Sequence, residues 1–271
     1  MGMVPQAYYD FIMNYAPYAY VVPESGPDLT WGRTAFAAAF AIDFFHEAYY
    51  DSQFESKKTD IYNKLASLAD WLLTQQCTDP VKLAYGGFKS TETSDYYYSV
   101  DAARAIPALI KAYKLTGTAS YLNAAKLAAA TFLYSMQHPP TPTVHDKYYG
   151  GFARAVTIAD VWLPEIDIEN LYGLIGLKTL IDYDSANKTK YETMMPEAVS
   201  FLRSGFESLY LEYRPLPNGD GKWHRVGTNE TEIYDDPFAY ALLGLYDYEG
   251  WSPTAQRVYS FLNSVRASAE Y

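Results

Sequence analysis

Apolar positions along this chain recur in two alternating patterns. The run Ala35-Phe36-Ala37-Ala38-Ala39-Phe40-Ala41-Ile42 is apolar almost all round, and a helix without a polar face has to be covered on every side. Similar Ala-, Leu- and Gly-rich helices are predicted to begin at Asp101, Asp167 and Asp236. Each is followed by a segment with one wet face. The clearest is Tyr121-Leu122-Asn123-Ala124-Ala125-Lys126-Leu127, where apolar residues return at i, i+3 and i+4. The others are expected to begin near Lys58, Tyr191 and Pro253. Thr116-Gly117 reads as a helix stop, and Ser252-Pro253 as a start, with Ser252 as N-cap and Pro253 in the first turn. With a further helix from Gln6 to Tyr15, periodicity predicts roughly nine long helices.

The punctuation repeats as well. Gly86-Gly87-Phe88 returns as Gly150-Gly151-Phe152, and Gly221-Lys222-Trp223 takes the corresponding place in a third copy, a period in the sixties. After each, a polar and aromatic loop leads to an acid that opens an apolar helix: Asp101-Ala102-Ala103, Asp167-Ile168-Glu169 and Asp235-Asp236-Pro237. An earlier unit, Trp31-Gly32-Arg33-Thr34, lacks the acid. All-apolar inner helices alternating with one-faced outer helices curve a stack of hairpins into an arc or ring. The expected fold class is therefore all-α: an α/α toroid of repeated helical hairpins, with residues 1–271 as a single domain. A closed six-hairpin ring would need twelve helices, so the expectation is an open or incomplete ring of four to five hairpins.

Composition narrows the partners. The 271 residues are 49% hydrophobic, enough for a large core, and carry a formal net charge of -11, which repels phosphate backbones and anionic lipid. Neither nucleic acid nor membrane is an expected partner. The single Cys77 makes no intramolecular disulfide and has no zinc-ligand spacing around it, so no metal or cofactor is expected. No apolar run has the length of a membrane span. A soluble protein is expected, cytoplasmic or secreted with its signal removed. Sequons at Asn187 and Asn229 arise easily by chance and assign no compartment. Aromatic residues make up 17% of the chain, which suits either a ring-lined cavity or a tyrosine-rich core.

The segment from Asp101 to Leu133, with Ala112-Tyr113-Lys114-Leu115-Thr116-Gly117, Tyr121-Leu122 and Ala124-Ala125, resembles the six-hairpin glycosidase superfamily of α/α toroids. Tyr85-Gly86-Gly87-Phe88, preceded by Leu72-Leu73-Thr74-Gln75-Gln76, is similar both to those proteins and to toroids of the prenyltransferase and terpene cyclase type. The latter call for acid-rich clusters or Cys, His and Asp zinc ligands, and here Asp235-Asp236 is only a pair. The resemblance implies a carbohydrate-active protein in which the N-terminal ends of the inner helices converge on the mouth of a cavity.

Glycoside hydrolysis needs one protonated and one ionised carboxylate. Asp101, Asp167, Asp235 and Asp236 can supply them, although an Asp at a helix start can equally be an N-cap. The adjacent Asp235-Asp236 resembles the paired acids of α-mannanase-like members of the superfamily. Tyr98, Trp162, Trp223 and Tyr234 precede these acids and could stack on sugar faces or simply pack the loops. Arg33, Arg104, Arg154 and Arg225 could grip a uronate or pair with neighbouring acids. His145 and His224 lie in expected rim loops, whereas His46 reads as a packed histidine. The leading expectation is a glycoside hydrolase acting on an oligo- or polysaccharide. A polysaccharide lyase or sugar epimerase on the same fold, and a non-catalytic glycan-binding or assembly scaffold, are the alternatives.

Overall fold

The computed structural model describes residues 6–16, 18–21, 30–137, 150–166, 168–206, 211–215, 221–225 and 236–268. The chain forms two compact units, Met1–Phe132 with Ala155–Trp162, and Leu133–Arg154 with Leu163–Tyr271. No helix of the described residues is long and apolar enough to cross a membrane.

In the first unit, α1 (Gln6–Tyr15) and a hairpin of β1 (Tyr18–Val21) and β2 (Thr30–Arg33) lead into α2 (Ala35–Tyr50). Thr34 caps α2, its hydroxyl accepting the Ala37 N–H at 3.1 Å. A 3-10 turn (Ser52–Lys57) enters α3 (Lys58–Gln75), and β3 (Tyr96–Tyr98) enters α4 (Ser99–Thr116). Gly117 ends α4 at φ 73°, with its N–H on the Tyr113 carbonyl at 2.8 Å. Helix α5 (Ala119–Leu127) follows. Helices α2 and α4 pack on each other, α3 covers α2, and α5 covers α4, which is the expected alternation of inner and outer helices. Every residue of α4 from Asp101 to Ile110 is buried. Helix α2 departs from the expectation of complete burial. Its Phe36, Phe40, Asp43 and Phe44 are half-buried and Glu47 is exposed, a single helical stripe that no neighbour covers fully.

In the second unit, α6 (Tyr134–Gln137) continues α5 through a π-helical stretch (Ala128–Leu133). A 3-10 turn (Ile168–Tyr172) precedes α7 (Gly173–Leu180), so the inner helix expected at Asp167 becomes regular only at Gly173. Helix α8 (Lys188–Phe206) packs on α7, α9 (Asp236–Glu249) on α7 and the 3-10 turn, and α10 (Pro253–Ser268) on α9. A Cβ on Gly244 would run into the Leu171 carbonyl, so glycine is what lets α9 cross so near. Ser252 caps α10 as expected, its hydroxyl accepting the Ala255 N–H at 3.1 Å. Counting α5 to α6 as one run, the described residues hold nine helical runs.

Periodicity did not anticipate the short sheets. Besides β1-β2, a three-stranded sheet has the order β3-β4-β5, with β4 at Ala153–Thr157 and β5 at Trp162–Ile166. Gly221, expected to mirror the other glycine turns, instead opens β7 (Gly221–Arg225), which pairs with β6 (Leu211–Pro215) and sets Trp223 opposite Tyr213.

The first two copies of the glycine turn share one fastening. The Gln76 side-chain amide donates to the Gly86 carbonyl at 3.0 Å and to the Ala124 carbonyl of α5 at 2.9 Å. The Gln137 amide does the same to Gly150 at 2.8 Å and to Met194 of α8 at 2.9 Å. Gly86 and Gly150 both stand at φ 90°, a region that a side chain rarely adopts. A Cβ on Gly86 would come within 2.7 Å of the Leu127 carbonyl, and one on Gly150 would meet the Glu197 carbonyl. Phe88 and Phe152, next in line, are 0% and 1% exposed. Side chains bond helix carbonyls just before the π-helical stretch, from Gln76 to Ala124 and from Thr131 to Leu127, and side-chain insertion into the ladder is a recognised cause of such irregularities. Gly86→Ala and Gly150→Ala should each cost about 2–4 kcal/mol, combining backbone strain with overpacking. Gly117→Ala, with open space around its Cβ, should cost only about 1 kcal/mol. Urea denaturation of the three variants measures the difference.

Candidate functional site

The segment that leaves the glycine turn is bonded to the first turn of α2. The Ser90 carbonyl accepts the Ala35 N–H at 2.8 Å, one of the N–H groups that the first turn of α2 cannot satisfy internally. The Ser90 side chain favours the charged form of Asp101 in the first turn of α4. Asp101 is therefore not the cap of its helix. Tyr98 holds the N-cap position without a side-chain cap bond, and Asp101 is the third helical residue.

Asp101 is 2% exposed, and burial pushes its carboxyl up to about 6 from a usual 3.8. The Arg104 guanidinium one turn on, and the Ser90 hydroxyl, both favour the charged form but do not offset burial. Arg104 is itself 6% exposed, its guanidinium carbon 4.9 Å from the Phe36 ring centroid and 5.3 Å from that of Phe40. The two rings meet edge to face at 5.4 Å. Cation–π contacts of this kind contribute about 0.5–2 kcal/mol when desolvated. The open stripe of α2 thus carries the support for the charged pair on α4.

The strand that leads into α4 and its sheet neighbours carry further groups with polar edges. Tyr96 and Tyr98, on one face of β3, stack at 5.6 Å with 26° between their planes. Register sets Tyr98 opposite Ala155 and Tyr96 opposite Thr157 of β4. Trp162 is half-buried at the start of β5, with β4 lying between it and Tyr98. The turn from β4 to β5 is held by Asp160, at φ 59°, whose carboxylate accepts the Leu83 N–H at 3.0 Å and the Lys82 ammonium at 2.9 Å. Arg33 lies 3.9 Å from Glu92, and the Trp71 indole N–H donates to the same carboxylate at 2.9 Å.

Of the residues expected at the site, the structure brings Asp101 and Arg104 together and sets Tyr98 directly before their helix. Arg33 belongs to the same end of α2 but pairs with Glu92. Asp167, Asp235 and Tyr234 lie outside the described residues. Asp236 is the first residue of α9, and for Asp236, Trp223, His224 and Arg225 only the backbone is described. Arg154 is half-buried in β4, and His145 lies outside the described residues. His46 is half-buried on α2, 3.4 Å from Glu47, and burial pulls its imidazole below the usual range. Cys77 is buried, with its N–H on the Gly87 carbonyl at 2.8 Å. Among the described residues no cluster of His, Cys, Asp and Glu could hold a metal ion.

Sequence reasoning missed Ser90, Phe36, Phe40 and Glu92. The i, i+4 spacing of the two phenylalanines on an inner helix was a usable signal. Nothing in the pattern pointed to Ser90.

No family model matches the sequence, and no curated protein matches it. Solved structures do. The chain is similar to a novel alpha-amylase from Clostridium perfringens, with a TM-score of 0.62 at 12% identity over 97% of this chain and 71% of that one. It is similar to Rex8A from Paenibacillus barcinonensis in complex with xylose, with a TM-score of 0.55 at 12% identity over 97% and 72%. A D-mannose isomerase gives 0.53 at 15% identity over 86% of this chain and 58% of its own. At such identities the likeness carries the fold. The chain shares the α/α-toroid fold of these neighbours, and spans between about three fifths and three quarters of their length.

The raised carboxyl has a measurable consequence. Between its unfolded value of 3.8 and its folded value of about 6, the native chain binds more protons than the unfolded one, so stability falls as pH rises through that window. The contribution of protonated Asp101 is complete below about pH 4 and lost above about pH 6. Asp101→Asn removes this slope. Its stability relative to the wild type should rise by on the order of 3 kcal/mol between pH 4 and pH 7, read from urea unfolding at a series of pH values.

Proposed function

We propose that this chain is a carbohydrate-active enzyme, a glycoside hydrolase in which Asp101 holds the proton for the leaving group. The observation that carries this reading is the burial of Asp101 in the first turn of an inner helix, where its carboxyl keeps its proton up to about pH 6. A general acid has to be protonated near its working pH and still able to give the proton up. The stacked Tyr96 and Tyr98 just before it offer ring faces and hydroxyls of the kind that bind pyranoses. The fold supports the same class, since the neighbours include a protein named as an amylase and one solved with xylose. The substrate is an oligo- or polysaccharide.

The likeness to a D-mannose isomerase favours a second reading, interconversion of a free sugar without bond hydrolysis. The two separate cleanly in one experiment. Xylo-, gluco- and manno-oligosaccharides are assayed for new reducing ends, free mannose for its ketose isomer, and uronans for unsaturated products by absorbance. New reducing ends are expected from the wild type. Asp101→Asn should lower turnover at least about 100-fold, within the usual worth of a general acid, while remaining folded. Unchanged turnover in that variant would remove Asp101 from the reaction. Glycan binding without any conversion would leave the non-catalytic scaffold.

A further inference from the structure

Away from Asp101, the first unit has a concavity whose side chains the proposed reaction does not use. A groove of about 520 Å³ runs between α1 and the first half of α3, within the roughly 300–1,000 Å³ usual for small-molecule sites. Trp71, late in α3, and Arg33, just ahead of α2, meet on Glu92. The two helices therefore run antiparallel, and the groove lies toward the C-terminal end of α2, opposite the end bonded to Ser90.

Tyr9 is the buried member of the lining. Its ring stacks on Phe54 at 4.6 Å with 20° between the planes and meets Phe45 edge to face at 6.4 Å. The residue is 4% exposed yet lines the groove, and its hydroxyl keeps access to solvent while having no hydrogen-bond partner among the described residues. Burial, and then the carboxylates of Asp60 and Asp10, hold the phenol above its usual range, so at neutral pH it keeps its proton and can donate. A phenylalanine would pack equally well on Phe54 and Phe45, so the hydroxyl serves the groove. The side chains of Asn14, Asn63 and Ser67 also make no hydrogen bond among the described residues, and each can both donate and accept. Asp10 and Asp60 are balanced there by Lys57 and Lys64. A small anion would face the carboxylates and a small cation the ammonium groups. A neutral molecule rich in hydroxyls can donate to the first and accept from the second.

We propose that this groove is a second carbohydrate-binding site, holding a pyranose unit of a glycan by the Tyr9 and Ser67 hydroxyls and the Asn14 and Asn63 amides. The choice of ligand rests on the carbohydrate-active reading of the chain, whereas the site does not depend on Asp101.

The side-chain amides of Asn14 and Asn63, assigned in 15N-correlated spectra with Asn14→Ala and Asn63→Ala, report on the groove as xylotetraose, cellotetraose or mannotetraose is added. One of the three should shift both amides saturably, with the same affinity in Asp101→Asn. Tyr9→Phe should keep the wild-type melting temperature and weaken binding about three- to tenfold, the worth of one hydrogen bond. Asn63→Ala, at an exposed position, should weaken it similarly when read at Asn14. Amides unmoved by every tetraose overturn the site, as does wild-type affinity in both variants. Shifts given by inorganic phosphate or glycine and by no tetraose overturn it too, since the groove then takes an ion or a zwitterion. Saturable shifts without new reducing ends keep the groove and remove the hydrolase. New reducing ends with unmoved amides remove the groove and keep the hydrolase.

Discussion

A single side-chain amide gripping two backbone carbonyls is the constraint on which the rest of each unit depends. A glutamine amide has two N–H donors, and Gln76 spends them on a turn carbonyl and an outer-helix carbonyl that are far apart in sequence. Gln137 repeats the arrangement in the second unit. The grip demands glycine at the turn because the outer helix lies where a side chain would begin. It also reaches the candidate site within four residues. From Gly86 the chain passes through buried Phe88 and the Lys89–Gln75 bond to Ser90, whose carbonyl holds the first turn of α2 and whose side chain acts on Asp101. Fastening and chemistry are successive parts of one short segment.

The charged pair on α4 sits at odds with stability in the way functional sites often do. An apolar pair of similar volume would suit a helix buried from Asp101 to Ile110 better than a carboxyl and a guanidinium. The surroundings limit the cost without removing it. Phe36 and Phe40 hold the cation by their ring faces, and the Ser90 side chain favours the charged form of Asp101. The half-buried stripe of α2 gains a reason in consequence, since rings that support Arg104 cannot also be packed away behind an outer helix.

Much of this architecture could be read from the residues. Thr116-Gly117 and Ser252-Pro253 mark true helix ends because a left-handed cap and an N-cap serine are local chemistry, independent of what packs around them. The alternation of all-apolar and one-faced segments gave inner and outer helices because burial acts on whole faces. The strands β3, β4 and β5 stayed hidden because three to five residues flanked by aromatic loop carry too little period to stand out. At the site, Asp101 was legible as an acid at a helix start, but its place as third helical residue was not. That depends on Tyr98 taking the cap, which follows from strand pairing across to Ala155. Ser90 was invisible for a related reason. A serine in a polar loop acquires meaning only from what the tertiary fold brings to its hydroxyl.

The two fastenings differ in one respect. Gln76 and Gly86 are 10 positions apart, whereas Gln137 and Gly150 are 13 apart, yet the same two kinds of bond close both. The same grip closes both spacings, since the entropy of closing a loop grows only slowly with its length. The shorter connection passes through Val81, which is 83% exposed, before Lys82 and Leu83 tie back to Asp160. The link from Pro80 to Val81 is thus a natural graft point: a fluorophore-bearing peptide or affinity tag spliced there would stand clear of the core and report on the chain from outside.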